Sequence, residues 1–172
     1  MPATVSQVDA SILLFIQNHL RTPLLNEIFR FIANYGLLIV CVYAAVMLLW
    51  DRRKIFPFAS ACVVSGFLGK YASDYIKHLI KRPRPFWENA DLISLTRPKS
   101  FSCPSGHTTV AFAVAFIMWR ILPKKYSVPA LCMAALIAFS RIYMGVHNPT
   151  DILVGILVAY IVSLVTDFLY KH

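Results

Sequence analysis

The chain has 172 residues, of which 58% are hydrophobic and only 15% are charged, with a mean hydropathy of +0.63. That composition excludes an ordinary soluble domain of this size and points to an integral membrane protein. The formal net charge of +9 is assigned to loops flanking membrane spans and to an anionic ligand; nucleic acid is excluded as a partner because no basic, aromatic-interleaved soluble module is present to hold it. Cys41, Cys62 and Cys132 lie inside apolar runs and Cys103 stands alone in a loop, which indicates neither a disulfide framework nor a metal cluster.

In chain order, Val5, Val8, Ile12, Phe15, Ile16 and Leu20 recur at helical spacing, with Ser6, Asp9, Gln17 and Asn18 elsewhere on the wheel. Residues 1–21 therefore read as an amphipathic helix lying in the membrane interface, with a short sixth span as the minority reading. They lack the positive start and small-residue cleavage site of a removable signal peptide. Leu24 to Trp50 is long enough to cross a hydrocarbon layer of ~30 Å, and Asp51 to Lys54 closes it. Ile55 to Ile80 crosses back, with Lys70, Asp74 and Lys77 spaced along its second half, where they must face protein or water. Lys81 to Pro104 is polar and proline-rich, with Phe86 and Trp87 as interface anchors, and with Ser105 and Gly106 makes an active-site loop over residues 81–106. The next apolar run, opened by His107, ends near Leu122; Tyr126 to Val146 runs back, and Ile152 to Tyr170 is the last span. The fold expected is all-α, a polytopic bundle of five spans in a single domain over residues 1–172.

Five crossings place Lys77 to Pro85, Pro104 to His107 and Ser140 to Asp151 on one face. Arg52, Arg53, Lys54, Arg120, Lys124, Lys125 and Lys171 flank the other, which the positive-inside tendency makes cytoplasmic. In the segment SRIYMGVHNPTD, Asn148 suits a helix N-cap, Pro149 the first helical position, and Asp151 the third. Asp151 then reaches back towards His147 and fixes which imidazole nitrogen reacts, while Arg141 offers a fork of donors suited to phosphate. Elsewhere the plainer readings hold: Lys81, Arg82, Arg97 and Lys99 as headgroup anchors, His19 and His78 as interfacial, Asp74 paired with Lys70 or Lys77.

Lys77 with six residues before Arg84-Pro85, then Pro104-Ser105-Gly106-His107, then Ser140-Arg141 with five residues before His147 and three before Asp151 resembles the complete signature of the type-2 phosphatidic acid phosphatase superfamily. That superfamily includes lipid phosphate phosphatases and vanadium haloperoxidases. The resemblance implies that His147 is the nucleophile, Asp151 its orienter and His107 the acid for the leaving oxygen. Lys77, Arg84, Ser105, Gly106 and Arg141 would hold the phosphate, and neither metal nor other cofactor is needed. The short chain is similar to bacterial members that hydrolyse undecaprenyl pyrophosphate at the outer face of the plasma membrane. Phosphatidylglycerophosphate, phosphatidate, diacylglycerol pyrophosphate and lipid A phosphate remain open as substrates, as does the oligomeric state. The rival classes are a vanadate-binding haloperoxidase and a non-enzymatic phospholipid transporter whose basic pocket only grips phosphate.

Overall fold

A computed structural model describes residues 3–50 and 55–171. The described residues form α1 (Ala3–His19), α2 (Pro23–Trp50), α3 (Ile55–Ile80), the single turn α4 (Pro85–Glu88), α5 (Gly106–Ile121), α6 (Lys124–Tyr143) and α7 (Pro149–Lys171), and no strand occurs among them. The expected all-α class is the one found. The basic flank Arg52, Arg53 and Lys54 lies outside the described residues.

Helix α5 is the axis, packed by α2, α3, α6 and α7. Lipid tails are as apolar as the helices, so association rests on close packing rather than on transfer out of water. The sequence supplies small side chains for this: Ala111, Ala113 and Ala115 on α5, and Ala130 and Ala134 on α6, are fully buried. On α7, a Cβ at Gly155 would lie 3.2 Å from the Ser105 carbonyl oxygen and from Thr109 Oγ1, so any side chain there would press on the start of α5 by a few tenths of an ångström. Leu38, Phe67, Leu153 and Phe168 point outward, as lipid-facing side chains should.

By length and hydropathy, Pro23–Met47, Lys124–Tyr143 and Pro149–Tyr170 are able to cross a membrane. The expected span α5 does not meet those tests, for a visible reason. α5 has 16 residues, about 24 Å of helix, and its neighbours shield it from lipid. α3 carries its charges in its second half, where Lys70 pairs with Asp74 rather than leaving it to Lys77. The return run also stops earlier than its apolar pattern suggests, at Tyr143 instead of Val146.

The stop is made by Gly145, whose φ of +70° turns the chain, and by Arg21. Arg21 donates from Nε and Nη2 to the Tyr143 carbonyl oxygen at 3.2 and 2.9 Å, and from Nη1 to that of Ile93 at 2.6 Å. A guanidinium here satisfies the carbonyls left over at a helix end and complements the helix dipole. Helix α1 is held against the same end of the bundle, burying Asp9, Leu13 and Ile16 and leaving Val8, Ile12 and Phe15 exposed. A methyl group at Gly145 would sit 2.9 Å from Arg21 Nη2 and 3.1 Å from the Ile93 oxygen, in a conformation that costs an L-residue about 1–2 kcal/mol. Gly145→Ala is therefore expected to lower the thermal unfolding midpoint in detergent; an unchanged midpoint would show that the turn is not constrained.

Candidate active site

Several hydrogen bonds draw the three polar segments together. Ser105 N–H donates to the Asp151 carbonyl oxygen at 3.2 Å, joining the start of α5 to that of α7. Lys81, at φ +50°, takes the left-handed conformation that ends α3 and turns the chain into the loop. Within that loop Arg84 donates from Nε to the Ser100 carbonyl oxygen (2.7 Å), from Nη1 to that of Val146 (2.7 Å) and from Nη2 to Ser100 Oγ (3.0 Å). It thereby pins the loop to the residue before His147. A Cβ on Gly106 would lie 3.6 Å from Lys77 Nζ and 3.4 Å from Ser73 Oγ, which puts the end of α3 beside the start of α5. His107 and Arg141 line one cavity of about 430 Å³ with Asn34, Arg97 and Met144.

All eight residues singled out from the sequence thus gather at one end of the bundle, but not in equivalent states. Arg84 uses much of its fork on the loop, and the Ser105 hydroxyl accepts from Thr108 Oγ1 at 2.9 Å. Arg141 is 8% exposed, and its Nε has no acceptor among the described residues. A buried cation in that state is costly unless an anion joins it. Ser73 Oγ, also buried, likewise has no partner among the described residues.

His147 is 2% exposed, and its Nδ1 lies 3.6 Å from Asp151 Oδ2. That is beyond hydrogen-bond length, because the oxygen is already engaged: it accepts from the Asn148 N–H at 2.8 Å and from the Ser102 hydroxyl. The first of these is half of a capping box, from the third helical position back to the N-cap. The first N–H of α7, that of Thr150, goes to Asp9 Oδ1 at 3.2 Å, so the helix start is capped from α1 as well as from within its own first turn. Burial, reinforced by the charges of Arg84 and Arg141 and opposed by Asp151, pushes the His147 imidazole down to about 4. Burial and the neighbouring Arg141 push Arg84 down to about 10.

The headgroup-anchor reading of Arg82 is overturned. Its side chain is 10% exposed and lies between Asp151 Oδ1 at 2.7 Å and Asp9 Oδ2 at 2.9 Å. Arg97, although exposed, lines the His107 cavity. Sequence reasoning also missed Ser73, Ser102 and Asp9. Only Asp9 left a clear signal, as the sole Asp, Glu, Lys or Arg among the first twenty residues.

Comparison with known proteins agrees with this arrangement. Residues 54–169 match the PAP2 superfamily. YbjG of Escherichia coli (strain K12) is 34% identical over 155 residues, covering 87% of this chain and 75% of that protein. The undecaprenyl-diphosphatase BcrC of Bacillus subtilis (strain 168) is 30% identical over 145 residues, covering 81% and 72%. The crystal structure of a transmembrane PAP2-type phosphatidylglycerolphosphate phosphatase from Bacillus subtilis superposes with a TM-score of 0.80 at 25% identity, covering 99% of this chain and 88% of that one. A match through well over half the sequence, on a fold shared along nearly its whole length, makes this chain a member of the PAP2 superfamily.

Proposed function

We propose that the protein is an integral membrane lipid phosphatase that hydrolyses undecaprenyl pyrophosphate to undecaprenyl phosphate through a phosphohistidine intermediate. The observation that carries this reading is the pairing of a buried histidine, His147, with a buried arginine, Arg141, whose Nε has no acceptor among the described residues. The pyrophosphate assignment draws on the name of the BcrC relative; phosphatidylglycerophosphate is the second reading, favoured by the structural neighbour.

In the reaction, neutral His147 attacks the terminal phosphorus from the nitrogen that faces away from Asp151. The P–O bond to the leaving group breaks as His107 gives that oxygen its proton. His107, now a base, takes a proton from water; the water oxygen attacks phosphohistidine and inorganic phosphate leaves. Lys77, Arg84 and Arg141 supply the positive charge on which phosphoryl transfer mostly depends, with Ser105 and Gly106 at the start of α5. Asp151 orients His147, and the 3.6 Å gap closes when substrate arrives, as such contacts often do between free and bound enzyme.

Five spans, α2, α3, α5, α6 and α7, carry this site, and α1 lies along the interface. The single domain sits in the plasma membrane with the site on its extracytoplasmic side. Arg120, Lys124 and Lys125, at the far ends of α5 and α6, support that orientation.

His147→Ala is expected to abolish phosphate release from undecaprenyl pyrophosphate by purified enzyme, and Asp151→Asn to lower it roughly 10²- to 10⁴-fold, the scale of losing an orienting carboxylate. Acid-labile phosphate should be trapped on the wild type, and EDTA should leave its rate unchanged. Turnover by His147→Ala would end this reading.

The pH profile follows from the two histidines. Only neutral His147 attacks, and its imidazole is held down to about 4, so kcat/KM should fall as pH drops through that value rather than through the ordinary ~6.5. In the enzyme–substrate complex, where the phosphate anion favours the charged imidazole, deprotonation of His107 supplies the basic limb, which makes the kcat profile a bell. His107→Gln should remove that limb for an alcohol leaving group and matter little for nitrophenyl phosphate. An acid limb near the ordinary histidine value would contradict a neutral, buried nucleophile.

Orientation is checked by placing a cysteine at Asn89 in a chain freed of its own four. Labelling of intact cells by an impermeant thiol reagent is expected; labelling only after permeabilisation would reverse the assignment.

A further inference from the structure

We propose that Asp9, on the N-terminal helix α1, is a positioning residue for the reaction: it holds Arg82 against Asp151 and so fixes the carboxylate that faces His147. This inference rests on the catalytic reading above and adds to it a residue far outside the signature segments.

The geometry is a closed set of contacts. Arg82 Nη2 donates to Asp9 Oδ2 at 2.9 Å, while its Nη1 donates to Asp151 Oδ1 at 2.7 Å and to Thr150 Oγ1 at 2.6 Å. The Thr150 hydroxyl then donates to Asp9 Oδ2, and the Thr150 N–H to Asp9 Oδ1 at 3.2 Å. Asp9 is 2% exposed and Asp151 fully buried. One guanidinium therefore serves two buried carboxylates.

Consider what each oxygen of Asp151 does. Oδ2 faces His147 and accepts from Asn148 and Ser102. Oδ1 has Arg82 as its charged partner. If Arg82 shifts, Oδ1 loses that partner and the carboxylate turns about its Cβ–Cγ bond, taking Oδ2 off the imidazole. What keeps Arg82 in place is its second carboxylate: without Asp9, Nη2 loses its acceptor and only the Nη1 contacts to Asp151 and Thr150 resist rotation of the long side chain. Removing one partner of a buried ionic set strands the others, so the contact is far stronger than a surface pair.

The rest of α1 is suited to the role of a strut. Gln17 clamps the loop from both ends of its amide, donating to the Asp91 carbonyl oxygen at 2.9 Å and accepting from the Ile93 N–H at 2.7 Å. Its outward residues Val8, Ile12 and Phe15 are apolar and exposed, so the interface holds one side of the helix while Asp9 engages the site from the other. Asp9 itself touches no residue assigned to the phosphate. It reaches the site through Arg82 and through the Thr150 N–H that it caps.

The test uses the full-length enzyme in detergent with farnesyl pyrophosphate as the probe, and kcat is expressed per active site counted by trapped phosphohistidine. Asp9→Asn is expected to lower kcat about tenfold or more while KM stays within about twofold, the signature of lost orientation rather than lost binding. Asp9→Glu should recover most of the loss. In an Asp151→Asn background, Asp9→Asn should cost little further, because residues acting through one group are not additive. A wild-type kcat in Asp9→Asn, or a loss that multiplies fully with that of Asp151→Asn, overturns the proposal. If Asp9→Asn does not accumulate, Asp9→Ser leaves an oxygen to cap the Thr150 N–H but no charge for Arg82. The same fall in kcat is then expected, and a wild-type value overturns the role. His147→Ala separates the two levels: activity in that variant refutes the reaction itself, whereas an inactive His147→Ala beside a fully active Asp9→Asn refutes only the part played by Asp9.

Discussion

The buried carboxylate of Asp151 is the point on which this structure turns. Its two oxygens receive the Asn148 N–H, the Ser102 hydroxyl and the Arg82 guanidinium, and its own backbone oxygen receives the Ser105 N–H. The loop after α3, the start of α5 and the start of α7 therefore meet on a single residue. An ionised group with no exposure to water must be compensated by donors, and the chain brings those donors from positions up to seventy residues apart. Once they are in place the backbone on either side has little freedom, which is how a bundle of apolar helices comes to carry a polar end of defined shape.

That polar end holds an imbalance of charge. Lys77, Arg84 and Arg141 are near enough to one another for each to feel the next, and the acids that offset them are already committed, Asp74 to Lys70 and Asp151 to Arg82. Helix packing in lipid gives no large driving force to offset such crowding. The arrangement persists because the loop braces it, chiefly through the Arg84 bonds to Ser100 and Val146, and in the proposed reaction a multiply charged anion relieves it. On that proposal, stability of the fold and affinity for phosphate are opposite sides of one electrostatic cost.

Much of this was legible in the sequence. Apolar periodicity gave the helices, and counting their crossings put the ends that carry Lys77, Arg84, His107, Arg141, His147 and Asp151 on one face. What could not be read falls into two kinds. The span count depends on shielding: α5 is too short to be judged by hydropathy because its environment is other helices, a tertiary fact. Arg82, Ser102 and Asp9 make their contacts across long sequence distances, and a lone arginine in a basic loop looks the same whether it faces headgroups or a buried acid. Arg82 became distinguishable only when α1 was seen to deliver Asp9 to it. The early stop of α6 had a local sign in Gly145, but an apolar run through Val146 outweighed it.

The enclosure of α5 also has a consequence for how this chain can vary over evolutionary time. A helix that faces lipid is judged on hydrophobicity, and Leu153 or Phe168 of α7 could change to many other bulky apolar residues without offence. α5 is judged on volume. Ala111, Ala113 and Ala115 have no space around them, so a serine of similar size is a smaller disturbance there than a leucine, although leucine is the better membrane residue. Substitution tolerance should therefore run in opposite senses at the centre and the rim of the same bundle, and drift within the family should preserve size along the axis while exchanging side chains freely outside it.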